Sequence, residues 1–459
     1  MESSPIETLP AEVLAAEILG RCAEYAPAVR AVCRGWRAVA TSAAARTTKS
    51  KGLRFLAGAG CEDLLCWVLR CRAAPYSASQ AEQILRGAAR GGHLAICQKA
   101  REWGAADFDR MLATATRGGH ALVCLKAKEW GATHFNAMMS SAAQGGHAGL
   151  CLAAKEWGAT DWNGMLTSAA MNGYAPLCMR AREWGATNWD AMLANAAWGG
   201  HFAICGQARA LGAVDFDWML CAAASGGHLV LCTWARDWGA TDWDGMLRAA
   251  ARAGYPALCA QARDWCANDW DGMLQAAAEG GHLSICLKAR EWGATGWNGM
   301  LRNAAAGGHP DLCLKAKEWV ATNWDLMLRM AALTGNATLC ELAHEWGATN
   351  FDQMLHAATS EGHLALCQTA HAWGATDVNR MLHLAARDGN RTACQTARDW
   401  GATDFNGMLA IATMYGHTAT CLLARDWGAR DFDRMLSTAR FTANEDMRTL
   451  AEEWLAETT

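Results

Sequence analysis

The sequence predicts an all-α protein, a solenoid of 27-residue helix-turn-helix repeats behind a small helical N-terminal domain. Three observations predict it. Thirteen cysteines recur every 27 residues from Cys97 to Cys421. Tryptophans keep the same step from Trp103 through Trp427 to Trp454, broken once by Leu211. Methionines keep it without exception from Met111 to Met435. A fixed period of a few tens of residues marks stacked supersecondary units. No 27-residue unit buries its apolar side alone, so stability must come from the interfaces between units.

The first element covers residues 5–50. Val13, Leu14, Ile18 and Leu19 have helical spacing behind Leu9-Pro10, and Pro10 is well placed near a helix start. A second helix is expected over Ala26 to Ala40, with Val29, Val32, Cys33, Trp36 and Val39 on one side. Residues 51–83 read as a degenerate capping repeat around Leu64-Leu65 and Trp67-Val68-Leu69, followed by a longer connection from Arg72 to Gln80.

Residues 84–440 are the regular array. One unit reads GATDWDGMLRAAARAGYPALCAQARDW, from Gly239 to Trp265. Its first helix starts near an Asp or Asn, at Asp109, Asn136, Asn163, Asp190 and onward to Asp433. These side chains accept hydrogen bonds from free amides, as N-cap or first-turn residues do. Met-Leu-x-x-Ala-Ala follows with helical spacing. The Gly ladder from Gly92 to Gly416 ends this helix, because a left-handed terminal residue is cheapest as Gly. The second helix carries Leu/Ile-Cys-x-x-Ala-Arg-Glu-Trp, and Gly-Ala closes it, as at Gly104-Ala105. Paired alanines let helices of adjacent units approach closely. Residues 441–459 form the C-terminal cap, where Arg448 replaces the ladder Cys and Glu452, Glu453 and Glu457 meet water.

Within one unit the repeat residues read as framework. His93 and Cys97 have a spacing that suits a shared metal, but the His becomes Tyr174, Tyr255, Asn336 or Asn390 in other units while the Cys stays. The expectation is a small buried thiol, a loop-bridging His and no metal or cofactor. A disulfide ladder is excluded by helix spacing of about 8–10 Å. The Trp ladder reads as structural. Arg101, Lys128, Lys155, Arg182, Arg236 and Arg290 are each followed by an acid, Glu102, Glu129, Glu156, Glu183, Asp237 and Glu291. That mixed row reads as a solvated face with modest ion pairs rather than a phosphate track. Binding specificity is expected where positions vary. Trp198, Trp218 and Trp234 fall off both aromatic ladders in adjacent units and are the target-binding candidates; local repacking around Leu211 is the alternative.

The 459 residues carry 41 Lys+Arg against 45 Asp+Glu, a net charge of −4. That balance predicts no nucleic-acid partner. No stretch of 18 uncharged apolar residues occurs, so no membrane contact is expected. The acidic start MESSPIETLP is unlike a secretory signal, and an intracellular, soluble chain is the expectation. There is no Walker loop, HExxH or nucleophile elbow, and the chain reads as a non-enzyme.

M-L-x-x-A-A-x-x-G-H, then a second helix and G-A, resembles the ankyrin pattern over residues 53–459. The ankyrin unit has about 33 residues, and the residues missing here fall where ankyrins build their β-hairpin finger. The resemblance implies an ankyrin-like αα solenoid with short loops, the ring of A-T-D-W-D (Trp162, Trp189, Phe216, Trp243) folded against the stack. LPAEVL with Ile18-Leu19, then Val32-Cys33-Arg34 and Trp36, resembles an F-box. That resemblance implies docking to a Skp1-type adaptor of a cullin ubiquitin ligase through Leu9, Pro10, Val13, Leu14, Ile18 and Trp36, the solenoid holding an unknown target protein. The combination looks like proteins of giant DNA viruses of amoebae. The other reading is a scaffold or sequestering protein that binds through its repeats only. By itself the chain is expected to be monomeric.

Overall fold

The computed structural model describes Arg54, Ala57, Gly58 and residues 78–458. Among them are 28 α-helices and no strand, arranged as helical hairpins in tandem. Two compact units divide the chain, residues 1–241 and 242–459. The first holds six described hairpins, from Ala78–Gly91 with Leu94–Glu102 to Phe216–Gly226 with Leu229–Trp238. The second holds eight, from Trp243–Ala253 with Pro256–Asp264 to Phe432–Phe441 with Glu445–Thr458.

Within each unit the first helices pack on one another and on their own second helix, while neighbouring second helices barely touch. The core follows from that. Met192, Leu193, Ala196, Ala197, Cys205 and Ala208 are all fully buried, and buried equivalents recur in every described hairpin but the last. Small alanines bring the first helices together. Open clefts are left between the second helices.

Both helices end in the same way. After Phe135–Gly145, Gly146 has φ 77°, the His147 amide donates to the Ala142 carbonyl at 2.9 Å and the Gly146 amide to Ala143 at 3.3 Å. After Ala121–Glu129, Gly131 has φ 107°, and the Ala132 amide donates to the Ala127 carbonyl at 3.0 Å. These are Schellman caps, which place the residue after the cap in the left-handed region that Gly reaches without strain.

Three hairpins of the second unit break the rule, the last of them with Ala443 (φ 52°) at the Gly position of its first-helix cap. Val320 (φ 73°) and Cys266 (φ 78°) occupy the Gly position of the second-helix cap. The cap bonds survive, since Val320 N–H still reaches the Lys317 carbonyl at 3.0 Å. Val320 is 76% exposed, so its side chain gains little from packing. A β-branched residue in this region is strained by about 1–2 kcal/mol. Against this, glycine is more mobile in the unfolded chain. Val320→Gly is therefore expected to stabilise the protein by about 1 kcal/mol, read as a rise in urea midpoint at unchanged slope; a fall would show that the strain is relieved elsewhere.

Candidate functional site

The ladder residues are consumed by bonds between repeats. The acid two residues before the Met ladder does not cap its own helix. Asp109 Oδ1 accepts the Thr133 and His134 amides of the following hairpin, both at 2.7 Å. Asn163 does the same with Thr187 and Asn188, at 2.9 and 3.0 Å. The true N-cap lies two residues earlier, as where Asp161 accepts the Gly164 amide at 2.8 Å.

The His ladder bridges backward. His120 Nε2 donates to the Arg90 carbonyl at 3.0 Å and His309 Nε2 to the Glu279 carbonyl at 3.0 Å. Each ring also covers the left-handed Gly of the hairpin before it. Where Asn replaces His, at Asn336 and Asn390, the side chain instead caps its own helix, accepting the Leu339 and Ala393 amides at 3.1 Å.

The cation row is exposed, and Arg236 pairs with the adjacent Asp237 at 3.0 Å, but its main partners are rings. Where the tryptophan 29 residues ahead is present, the cation covers it. Arg101 lies 4.9 Å from the Trp130 ring, Lys128 4.5 Å from Trp157, Lys155 4.5 Å from Trp184 and Arg290 4.9 Å from Trp319. Histidine rings substitute in two hairpins, His344 on Trp373 and His371 on Trp400, both stacked at 4.3 Å. The edge of most ladder rings meets the aromatic that opens their own first helix, as Trp162 meets Trp184 at 5.5 Å and Phe216 meets Trp238 at 5.7 Å, while Val378 takes that place in the Trp400 hairpin. A ring held on a face and an edge is framework.

Between the second helices of the first two hairpins lies a cleft of about 410 Å³, lined by Gln98, Arg101, Glu102, Lys126 and Trp130. Trp234 faces the equivalent space four repeats on, touching Phe202 edge-on at 5.3 Å and Trp238 at 5.6 Å. Trp198 and Trp218 lie on first helices, 50% and 45% exposed, and no ring contact joins either to Trp234. The three candidates thus occupy two different faces. Phe202 and the 72%-exposed Val214 escaped the sequence reading, although both depart from their repeat consensus. Leu9, Pro10, Val13, Leu14, Ile18 and Trp36 lie outside the described residues.

The Cys ladder is buried and chemically quiet. Burial pushes the thiols of Cys97, Cys178, Cys205, Cys259, Cys286 and Cys313 up to about 12. A thiol held protonated by the fold stabilises fully below the unfolded thiol value near 9, and that contribution is lost as pH rises toward 12. The expected result is an unfolding free energy, read from urea denaturation, that falls above pH 9 by about 1.4 kcal/mol per pH unit for each such thiol. Cys205→Ala should flatten that slope by one thiol's worth, measured from pH 8 to about 11. An unchanged slope would reject the account.

No family model matches the sequence, and no curated protein matches it. Among solved structures, the chain is similar to the pentatricopeptide repeat protein PPR10 from maize, 13% identical over 95% of this chain and 79% of that one, with a TM-score of 0.26. The same protein in complex with an 18-nt psaJ RNA element is 13% identical over 95% and 80%, TM-score 0.31. A circular tandem repeat protein with novel repeat topology is 16% identical over 97% and 94%, TM-score 0.11. The expectation of no nucleic-acid partner is not retained, since PPR10, among these structures, is solved in complex with an RNA element. That expectation rested on net charge, which averages over the whole surface and does not describe a local contact. Among the described residues no helix is long and apolar enough to cross a membrane.

Proposed function

We propose that the chain is a binding scaffold whose repeats hold a target protein and whose N-terminal segment recruits a Skp1-type adaptor. The observation that carries the first half is a division of labour along the repeat. Invariant residues are spent on bonds to the neighbouring hairpin, while apolar side chains at varying positions, Trp198, Trp218 and Val214, stand 45–72% exposed. Exposed aromatics on a rigid support suit interface anchors. The second half is supported by the F-box resemblance of LPAEVL and VCRGW, with Leu9, Pro10, Val13, Leu14, Ile18 and Trp36 as the docking residues and apolar burial as the driving force. The ankyrin-like reading of the array, and its likeness to viral F-box proteins, belong to the same proposal.

Co-purification of the full chain with Skp1 is the test. Association that is lost in Leu9→Asp/Pro10→Ala supports the adaptor role. No association, with a target still captured by the repeats, leaves a scaffold or sequestering protein.

A further inference from the structure

One cleft between second helices lacks its rung. Three repeat periods carry the lining of the first cleft, Gln98, Arg101, Glu102, Lys126 and Trp130, to Met179, Arg182, Glu183, Gln207 and Leu211. Here Leu211 stands where the other hairpins place an indole.

Three groups are left incomplete as a result. The exposed Arg182 has no ring beneath it among the described residues, whereas Lys155 and Arg209 cover Trp184 and Trp238 at 4.5 and 4.6 Å. Trp189 has no ring partner there, whereas its equivalent Trp162 meets Trp184 at 5.5 Å. The Gln207 Oε1 is buried with no hydrogen-bond donor. Nearby residues also clear space. Gly206 replaces larger residues such as Leu152 and Met179, and a Cβ there would meet nothing within 4 Å. Ala210 replaces the ladder acid, and Val214 continues the apolar rim at 72% exposure.

One chemical group completes all three: an indole, with its face under the Arg182 guanidinium, its edge toward Trp189, and its N–H donating to Gln207. We propose that the cleft between the fourth and fifth described hairpins binds a tryptophan side chain presented by an extended segment of the target protein. This rests on the scaffold reading and names where a target docks. The occupant is chosen by the protein's own pattern, since every other rung is filled by a ring carried on a polypeptide. A nucleobase is less suited, because Glu183 lines the mouth and would face its phosphates.

The test uses the full chain and fluorescein-labelled pentapeptides, Ser-Gly-Trp-Gly-Ser against Ser-Gly-Leu-Gly-Ser, read by fluorescence polarisation. The tryptophan peptide is expected to bind about tenfold tighter or more. Leu211→Trp supplies the missing rung internally, so it should raise the melting temperature and weaken the tryptophan peptide about tenfold. Arg182→Gln should weaken it several-fold with the fold intact. Equal affinity for the two peptides, or unchanged binding in Leu211→Trp, overturns the proposal. Labelled oligoadenylate that binds and is displaced by Leu211→Trp, with no peptide binding, overturns it in favour of a nucleobase slot. Target capture that survives Leu211→Trp rejects the slot and leaves the scaffold reading standing.

Discussion

Gly281→Ala is expected to lower stability by about 3 kcal/mol, and Gly293→Ala by about half as much. The two glycines cap the two helices of one hairpin, Trp270–Gly280 and Leu283–Glu291. Both are left-handed, at φ 83° and 112°. An L-residue costs about 1–2 kcal/mol in this region at either site. What the new methyl meets is different. At position 281 it would stand 2.6 Å from His309 Cε1, and at 293 its nearest neighbour is Trp270 Cδ1 at 3.9 Å. His309 must therefore swing away in the first variant only, and its Nε2 then loses the Glu279 carbonyl at 3.0 Å. Urea denaturation of both variants measures the difference. Equal losses would show that the ring over the glycine does not tie the repeats together.

The same contrast shows how much was legible in the sequence. The fold class, the helix ends and the buried ladder were readable, because each rests on local rules: helical spacing, Gly after a helix, small residues at close approach. The contacts between repeats were harder. Asp109 was read as a local cap because an acid before an apolar run normally is one, yet its acceptor serves amides 24 and 25 residues away. Arg101 precedes Glu102, which suggests an ion pair, yet its guanidinium lies over Trp130, 29 residues ahead. The signal existed. Cations and tryptophans share one period at a constant offset of 29, so a contact made once recurs wherever the pattern keeps both residues.

Departures from the pattern carry the binding information for the same reason. Leu211, Gly206 and Ala210 are unremarkable residues singly. Only against the ladder do they leave a guanidinium, an aromatic edge and a buried carbonyl oxygen unsatisfied together. Trp234 shows the limit of reading outliers by composition alone. It falls off the ladders as Trp198 and Trp218 do, but it packs on Phe202 and Trp238 while the other two face solvent from first helices.

Asp271→Ala is expected to cost about 2 kcal/mol, while Asp271→Asn should cost no more than about 0.5 kcal/mol. Asp271 Oδ1 accepts the Thr295 and Gly296 amides of the next hairpin, both at 2.7 Å. These amides open a helix and have no carbonyl partner in the preceding turn, so the side chain is their acceptor. Alanine removes it and leaves two donors without their acceptor, one exposed and one half-buried at the joint between hairpins. Asparagine keeps an oxygen in the same place, and the protein already uses that solution, with Asn298 accepting Thr322 and Asn323 at 2.8 and 3.0 Å. The small residual cost of Asn is the lost attraction between a carboxylate and the helix N-terminus. Amide hydrogen exchange supplies a local readout alongside urea denaturation. Thr295 and Gly296 should exchange faster in Asp271→Ala and at the wild-type rate in Asp271→Asn. If Asn is as damaging as Ala, charge rather than acceptor geometry holds successive hairpins in register, and the five asparagines on this ladder, Asn136, Asn163, Asn298, Asn379 and Asn406, would mark its weak joints.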